Sequence, residues 1–291
     1  MARWQDLLDP GAAALRDAAP WPLGPQLLER LATPADPGLR PGIVELEERL
    51  VAFLVVPVVE RTEDVLFLQE VDLLAAADEV VTVRKTPAGR PAFDLEPVRE
   101  LVGDDPTAAE LLHRIVDEVA EHYLDLVDDL DDEIEELEDA IDELPAARVR
   151  TRIAELRRDV LVIRRTLAPT RDAVRRVVDG RVLPDAPKGP FGDVYDKLLR
   201  ASEGLDFSRD LIAALRDHEQ ARISIEQNEV VKRLTVIASL VLIPTFLVGV
   251  WGQNFRHMPE LEWRLGYAFS WAVIVVVTIA QLVVFRRLRW I

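Results

Sequence analysis

The 291-residue chain has no cysteine, which excludes disulfides, thiolate nucleophiles and cysteine-ligated zinc or iron–sulfur centres and leaves the redox compartment open. Cations are in short supply: 35 Lys and Arg stand against 52 Asp and Glu, a formal net charge of −17. A phosphate backbone rewards clustered cations, so no nucleic acid is expected as a partner for the body of the chain. Histidine is scarce, and His113, His122, His218 and His257 show no His-x-x-x-His metal spacing. A glycine-rich phosphate loop and a serine nucleophile elbow are both missing, so nothing points to an enzyme or to an ATP-driven pump. Charge itself is missing from two stretches, 234–251 and 267–285, which hold no Asp, Glu, Lys or Arg.

Each of these stretches is about long enough to cross a hydrocarbon core of roughly 30 Å as a helix. Two transmembrane spans are expected rather than two core helices, because Arg286, Arg287, Arg289 and Trp290 follow the second stretch as interface anchors would. Lys232 and Arg233 abut the first, while the intervening loop, 252–266, balances Arg256 and Arg264 with Glu260 and Glu262. The positive-inside bias then puts both termini in the cytoplasm and the loop outside, a multi-pass arrangement in the cytoplasmic (inner) membrane of the cell. Trp4-Gln5-Asp6 interrupts any apolar run at the start, so no signal peptide is expected.

Three segments follow from composition: an N-terminal cytosolic α/β domain over 1–108, a cytosolic helical hairpin and stalk helix over 109–233, and a transmembrane hairpin over 234–291. The fold class is therefore α+β with a long helical stalk and a two-span α-hairpin. Residues 1–45 are rich in Pro, Gly and Ala and offer only short helical candidates such as 25–32. Runs at 50–59, 65–68 and 80–83 are β-branched and bounded by charged or turn residues, which predicts strands. A long helix opens near Thr107, capped by Asp105 or Thr107.

Residues 125–143 contain twelve acids in nineteen positions, yet Val127, Leu130, Ile134, Leu137, Ile141 and Leu144 keep a 3-4-3-4-3 spacing. That is a helical-hairpin or coiled-coil seam, which argues against disorder. After Pro145 the sign inverts, with ten Arg between Arg148 and Arg176. An antiparallel hairpin with opposite charges facing across it is the structural reading; attraction of divalent cations by the surplus acids is the functional one. A further helix runs from Phe191 into the first span. Its stripe of Leu198, Leu205, Ile212 and Leu215 needs partners, and symmetric oligomerisation supplies them economically.

The segment Gly249-Val250-Trp251-Gly252-Gln253-Asn254-Phe255, then Met258-Pro259-Glu260-Leu261 and Gly266-Tyr267, resembles the CorA-type magnesium and divalent cation transporter family. The match extends back through Asn228-Glu229-Val230-Val231-Lys232-Arg233-Leu234-Thr235. Gln253 departs from the family signature, making it Gly-Gln-Asn instead of Gly-Met-Asn. The resemblance implies a funnel-shaped homopentamer in the lipid bilayer, with Mg²⁺ as transported ion and as regulator, and Co²⁺ or Ni²⁺ as further ions. No organic cofactor is implied. It also implies a filter at Gly252, Gln253 and Asn254 that meets a hydrated ion, and an acidic entrance at Glu260. Asn228, Val231, Leu234, Thr235, Leu242 and Thr245 would line the pore, and Arg286, Arg287 and Arg289 would form a basic mouth. Phe191-Gly192-Asp193 resembles the segment that supplies a regulatory cation site between subunits, placing Asp193 there, with Arg30 where an acidic partner is expected. A zinc transporter of the same superfamily and a non-conducting membrane scaffold or sensor are the competing readings.

Overall fold

The computed structural model describes residues 2–35, 38, 40–46, 49–60, 65–76, 78–103, 105–182, 188–253, 258–259 and 263–291. It divides into two compact units, Met1–Arg216 and Asp217–Ile291.

In the first unit the described strands form one five-stranded sheet. They are β1 (Arg3–Leu8), β2 (Gly42–Leu46), β3 (Arg49–Glu60), β4 (Val65–Ala76) and β5 (Glu79–Lys85). The order is β1-β5-β4-β3-β2, with β1 parallel to β5 and the other pairs antiparallel. Successive strand residues point to opposite faces, and here both faces are covered. Leu50, Ala52, Leu54 and Val56 belong to the core shared with α4 (Ala108–Ala140) and α5 (Ala146–Val178). Val51, Phe53 and Val55 lie under α1 (Ala12–Ala18) and α2 (Pro25–Ala32). A short helix, α3 (Glu96–Leu101), precedes α4.

Two strands depart from the expectation for 1–45, where only short helices were foreseen. Apart from α1 and α2, that region contributes β1 and β2 to the sheet. β1 is held by tertiary contacts that local propensity does not show. Trp4 Nε1–H donates to Thr82 Oγ1 at 3.2 Å, and Asp6 lies 2.7 Å from Arg84 and 2.9 Å from Arg99. β4 also runs well past Leu68, through Gln69, Glu70 and Asp72, all buried.

Those acids are tolerated because Lys85, opposite Glu70 on β5, is buried with them. Its Nζ donates to Glu70 Oε1 at 2.6 Å and to the Arg30 carbonyl of α2 at 3.0 Å, and lies 3.2 Å from Asp72 Oδ2. Two carboxylates share one ammonium. Burial first, and then the charge of Glu70, push the Asp72 carboxyl up to about 7, against the pull of Lys85 and Arg30. A raised pKa in the folded state means that the native chain holds a proton that the unfolded chain releases near pH 4. Stability is therefore complete below that pH and falls as pH rises towards 7, by at most about 1.4 kcal/mol per unit. Asp72→Asn, which mimics the neutral acid, is expected to flatten this slope and to melt higher than the parent at pH 8. Thermal melting of the full chain in detergent from pH 4 to 8 checks it; parallel profiles would refute it.

α4 opens at Thr107, not Asp105, with a complete capping box: Glu110 N–H donates to Thr107 Oγ1 and Thr107 N–H to Glu110 Oε2. The predicted seam residues Val127, Leu130, Ile134, Leu137 and Ile141 are all buried. α5 returns antiparallel with Val149, Ile153, Leu156 and Val160 in the same core, and Arg152 bridges to Glu133 across the hairpin.

The long helix α6 (Lys188–Trp251) begins three residues before Phe191. Its stripe of Leu198, Leu205, Ile212 and Leu215 is buried in the chain's own core, so that stripe needs no second copy. Lys197 ties it to α4 through Asp117 and Glu121, both at 2.5 Å, and Ser208 Oγ donates to Asp131 at 2.6 Å.

The second unit contains the rest of α6 and a last helix, α7 (Gly266–Arg287). Among the described residues, these are the two helices long and apolar enough to cross a membrane. The end of α7 is a Schellman motif. Trp290 N–H donates to Phe285 O at 2.9 Å, Arg289 N–H to Arg286 O at 3.2 Å, and Trp290 stacks on Phe285. Arg289 takes the left-handed position, at φ 58°.

Candidate functional site

The candidate pore residues Asn228, Val231, Leu234, Thr235, Leu242 and Thr245 all lie on α6. At about 100° per residue they occupy one arc of about 120°. All six are exposed in the single chain. The covered positions Val236, Ser239, Leu240, Pro244, Leu247, Val250 and Trp251 occupy a separate arc. Ser239 identifies what stands on that side, because its carbonyl accepts a hydrogen bond from Gln281 Nε2 of α7 at 3.1 Å. Pairing with α7 therefore uses one side of α6 and leaves the candidate stripe uncovered.

The stripe is apolar except for three groups. Thr235 Oγ1 donates to Val231 O at 2.8 Å and Thr245 Oγ1 to Val241 O at 2.6 Å. With the hydroxyl protons committed to their own helix, the oxygen lone pairs remain as acceptors, the polarity suited to the waters of a hydrated cation. Asn228 adds an amide. Among the described residues no group of three or more His, Asp or Glu could hold a bare metal ion.

At its far end α6 closes onto the Gly-Gln-Asn signature. Gly252 N–H donates to Val248 O at 3.0 Å, and Gln253 N–H to Val250 O at 3.4 Å. Asn254 and Glu260, the proposed filter amide and entrance acid, lie outside the described residues. Arg286 and Arg287 occupy the last turn of α7 and Arg289 the position after its C-cap Leu288, where cations favour the negative end of the helix dipole.

Asp193 is exposed on the first turns of α6. Arg30 lies elsewhere: its guanidinium stands 3.8 Å over the Phe53 ring, on the α1/α2 face of the sheet, while Phe191 and Val194 belong to the opposite core. One chain does not bring the two together.

Gln281 was not singled out from the sequence, although a lone amide inside a 19-residue uncharged run was the available signal. Its Oε1 is buried without a hydrogen-bond partner in the structure. Gln281→Leu removes the tie to Ser239 and is expected to cost about 1 kcal/mol, the scale of interhelical hydrogen bonds in membranes. Thermal unfolding in detergent measures it, and an unchanged melting point would show that the tie contributes nothing.

A mixed α/β and helical body, one long helix and a C-terminal apolar helix define the class of protein. Its family follows from direct comparison: the family model described as CorA-like Mg2+ transporter protein matches residues 27–287. The chain belongs to that family, one of membrane ion transporters. A curated relative, the cobalt/magnesium transport protein CorA of Thermotoga maritima, is 32% identical over 183 residues, 62% of this chain and 52% of the relative. The match thus spans about half of that relative's length. Among solved structures, the CorA magnesium transporter of Methanocaldococcus jannaschii is similar with a TM-score of 0.78 at 22% identity, covering 99% of this chain and 91% of that one. The full-length CmaX protein gives 0.72 at 24% identity, covering 99% and 89%. At these identities the two structures establish the shared fold.

Proposed function

We propose that the chain is one subunit of a funnel-shaped homopentameric channel that passes Mg²⁺ passively into the cytoplasm. α6 and α7 form its two-span hairpin, and both termini are cytoplasmic. The N-terminal α/β domain (1–108) and the helical hairpin with its stalk (109–233) form the cytosolic part, and 234–291 the part in the inner membrane. The observation that carries this reading is the uncovered stripe of α6, which lies on an arc separate from the α7-facing one and ends at Gly252 and Gln253. Five such stripes around an axis would cover one another and enclose a path with acceptor oxygens and no fixed charge.

Chemistry supports a hydrated ion. Mg²⁺ gives up its waters reluctantly, and threonine hydroxyls and amides receive those waters without stripping them. Leu234 and Leu242 would form an apolar constriction that gates by dewetting. Glu260 would raise the cation concentration at the outer mouth, and Arg286, Arg287 and Arg289 would anchor the inner one. Asp193, exposed on α6, would contribute to a regulatory cation site between copies, with Arg30 of a neighbouring copy where an acidic partner is expected.

The name of the Thermotoga relative makes Co²⁺ a natural second ion. Uptake into proteoliposomes holding a Mg²⁺-sensitive dye, with Co²⁺, Ni²⁺ and Zn²⁺ compared, tests the reading. Uptake of Mg²⁺ is the expected result. Flux of Zn²⁺ alone would select a zinc transporter, and a folded assembly that passes no divalent ion would select the scaffold.

A further inference from the structure

The acids of 125–143 and the arginines of α5 were expected to face each other across the hairpin. Most of them do not. Asp125, Asp128, Asp132, Glu136 and Asp139 are exposed and recur every three or four residues, on the side of α4 opposite its buried seam. On α5, Arg157, Arg158, Arg164 and Arg165 are exposed around Leu161, itself 58% exposed. A shallow groove of about 370 Å³ runs from Arg164, Arg165 and Leu161 to Arg40, and another of about 320 Å³ is lined by Arg157, Arg158 and Leu161. Arg164 reaches Asp206 at 3.4 Å. Arg40, Arg157, Arg158 and Arg165 make no ion pair among the described residues. An apolar centre with a cationic rim, in a chain of net charge −17, has the anatomy of an interface.

We infer that this basic face of α5 docks onto the acidic face of α4 in the neighbouring copy of the same chain. The inference rests on the reading of the chain as a ring subunit and identifies one of the contacts that closes the ring. A ring of more than two copies needs a heterologous interface, two different faces that complement one another, and one hairpin supplies both. Heights match as well. The Arg152–Glu133 bridge sets the antiparallel register, so residues whose numbers sum to about 285 stand level. Arg157 is then level with Asp128, and Leu161 with half-buried Leu124. Rotation about an axis parallel to the hairpin preserves height, so Arg157 meets Asp128 of the neighbouring copy, and Arg158 and Arg165 bracket Asp125 of the neighbouring copy. Like-charged α4 faces are thereby kept apart, which favours this register over a two-fold pairing of α4 with α4.

The absence of cysteine gives a clean assay. Two full-length single-cysteine chains, Arg157→Cys and Asp128→Cys, are co-expressed, purified in detergent and mildly oxidised. Disulfide-linked pairs are expected at least tenfold more in the mixture than in either chain alone, with severalfold loss at high salt as screening weakens the attraction. Independently, Arg157→Glu with Arg158→Glu and Arg165→Glu should reduce the particle mass from that of an assembly to that of one chain. Adding Asp125→Lys, Asp128→Lys and Asp132→Lys in the same chain should restore it, which separates a lost interface from a lost fold. A multi-subunit parent with no excess cross-link and no mass change on charge reversal overturns the interface and leaves the ring. Cross-linking of Arg157→Cys with itself overturns it in favour of α5 against α5. A monomeric parent overturns both the interface and the ring.

Discussion

Replacing Asn254 with Leu is expected to abolish Mg²⁺ uptake in proteoliposomes, by well over tenfold, while the purified particle keeps its mass. Mg²⁺ arrives with its waters, and their protons need acceptors wherever the path narrows. Up to Gly252 and Gln253 the backbone N–H groups still donate within α6, and the next residue in the signature carries an amide. An asparagine oxygen offers two lone pairs, and in each of several copies it can accept a hydrogen bond from a water of the ion; leucine offers none. Hydrogen bonds to charged partners are worth about 1.5–3 kcal/mol each, and about 1.4 kcal/mol is already a factor of ten. Losing two or more of them at once should stop conduction. Unchanged uptake in an intact particle would remove Asn254 from the mechanism.

What the sequence discloses about this site is the stripe but not its direction. Asn228, Val231, Thr235, Leu242 and Thr245 share a face by spacing alone, but an aliphatic stripe in a membrane helix can equally face lipid or a partner helix. Gln281, whose hydrogen bond to Ser239 shows which side of α6 faces α7, removes α7 as the partner of that stripe. The two apolar helices and the α4 seam were legible because each repeats one signal over many residues: lack of charge in one case, a 3-4 period in the other. β1 was not, because Arg3-Trp4-Gln5-Asp6 contains no β-branched residue and is ordered by Thr82, Arg84 and Arg99, some eighty or more positions away. The second half of β4 was hidden by Glu70 and Asp72, which read as solvent-exposed until Lys85 is seen beside them. The spacing of the stripe from Leu198 to Leu215 shows that it needs cover. Its cover turned out to be the chain's own hairpin, because α4 and α5 bring enough apolar surface to bury it.

Gly204→Val is expected to destabilise the chain by about 3 kcal/mol, at the upper end of what overpacking costs. Nothing in the sequence marks this glycine. It sits within α6, where glycine alone costs about 1 kcal/mol relative to alanine, so a compensating reason is needed. The structure supplies it: a Cβ built on Gly204 would stand 2.7 Å from Val127 Cγ1 of α4, whereas carbon atoms pack at roughly 3.5–4.0 Å. Val127 cannot turn aside, since a β-branched side chain in a helix has essentially one rotamer and this one is buried in the core. α6 would have to move away from α4, and on either side of Gly204 it is tied there, by Lys197 to Asp117 and Glu121 and by Ser208 to Asp131. The milder Gly204→Ala separates the two effects. A glycine facing solvent would gain stability from that change; here the clash should outweigh the gain. Combining Gly204→Ala with Val127→Ala removes the obstructing methyl, so the double variant should lose less than the two single losses added together, as contacting residues do. Thermal melting of the full chain in detergent reads all four members of the cycle. If Gly204→Ala raises the melting point, close approach of α6 to α4 is not what fixes glycine at this position.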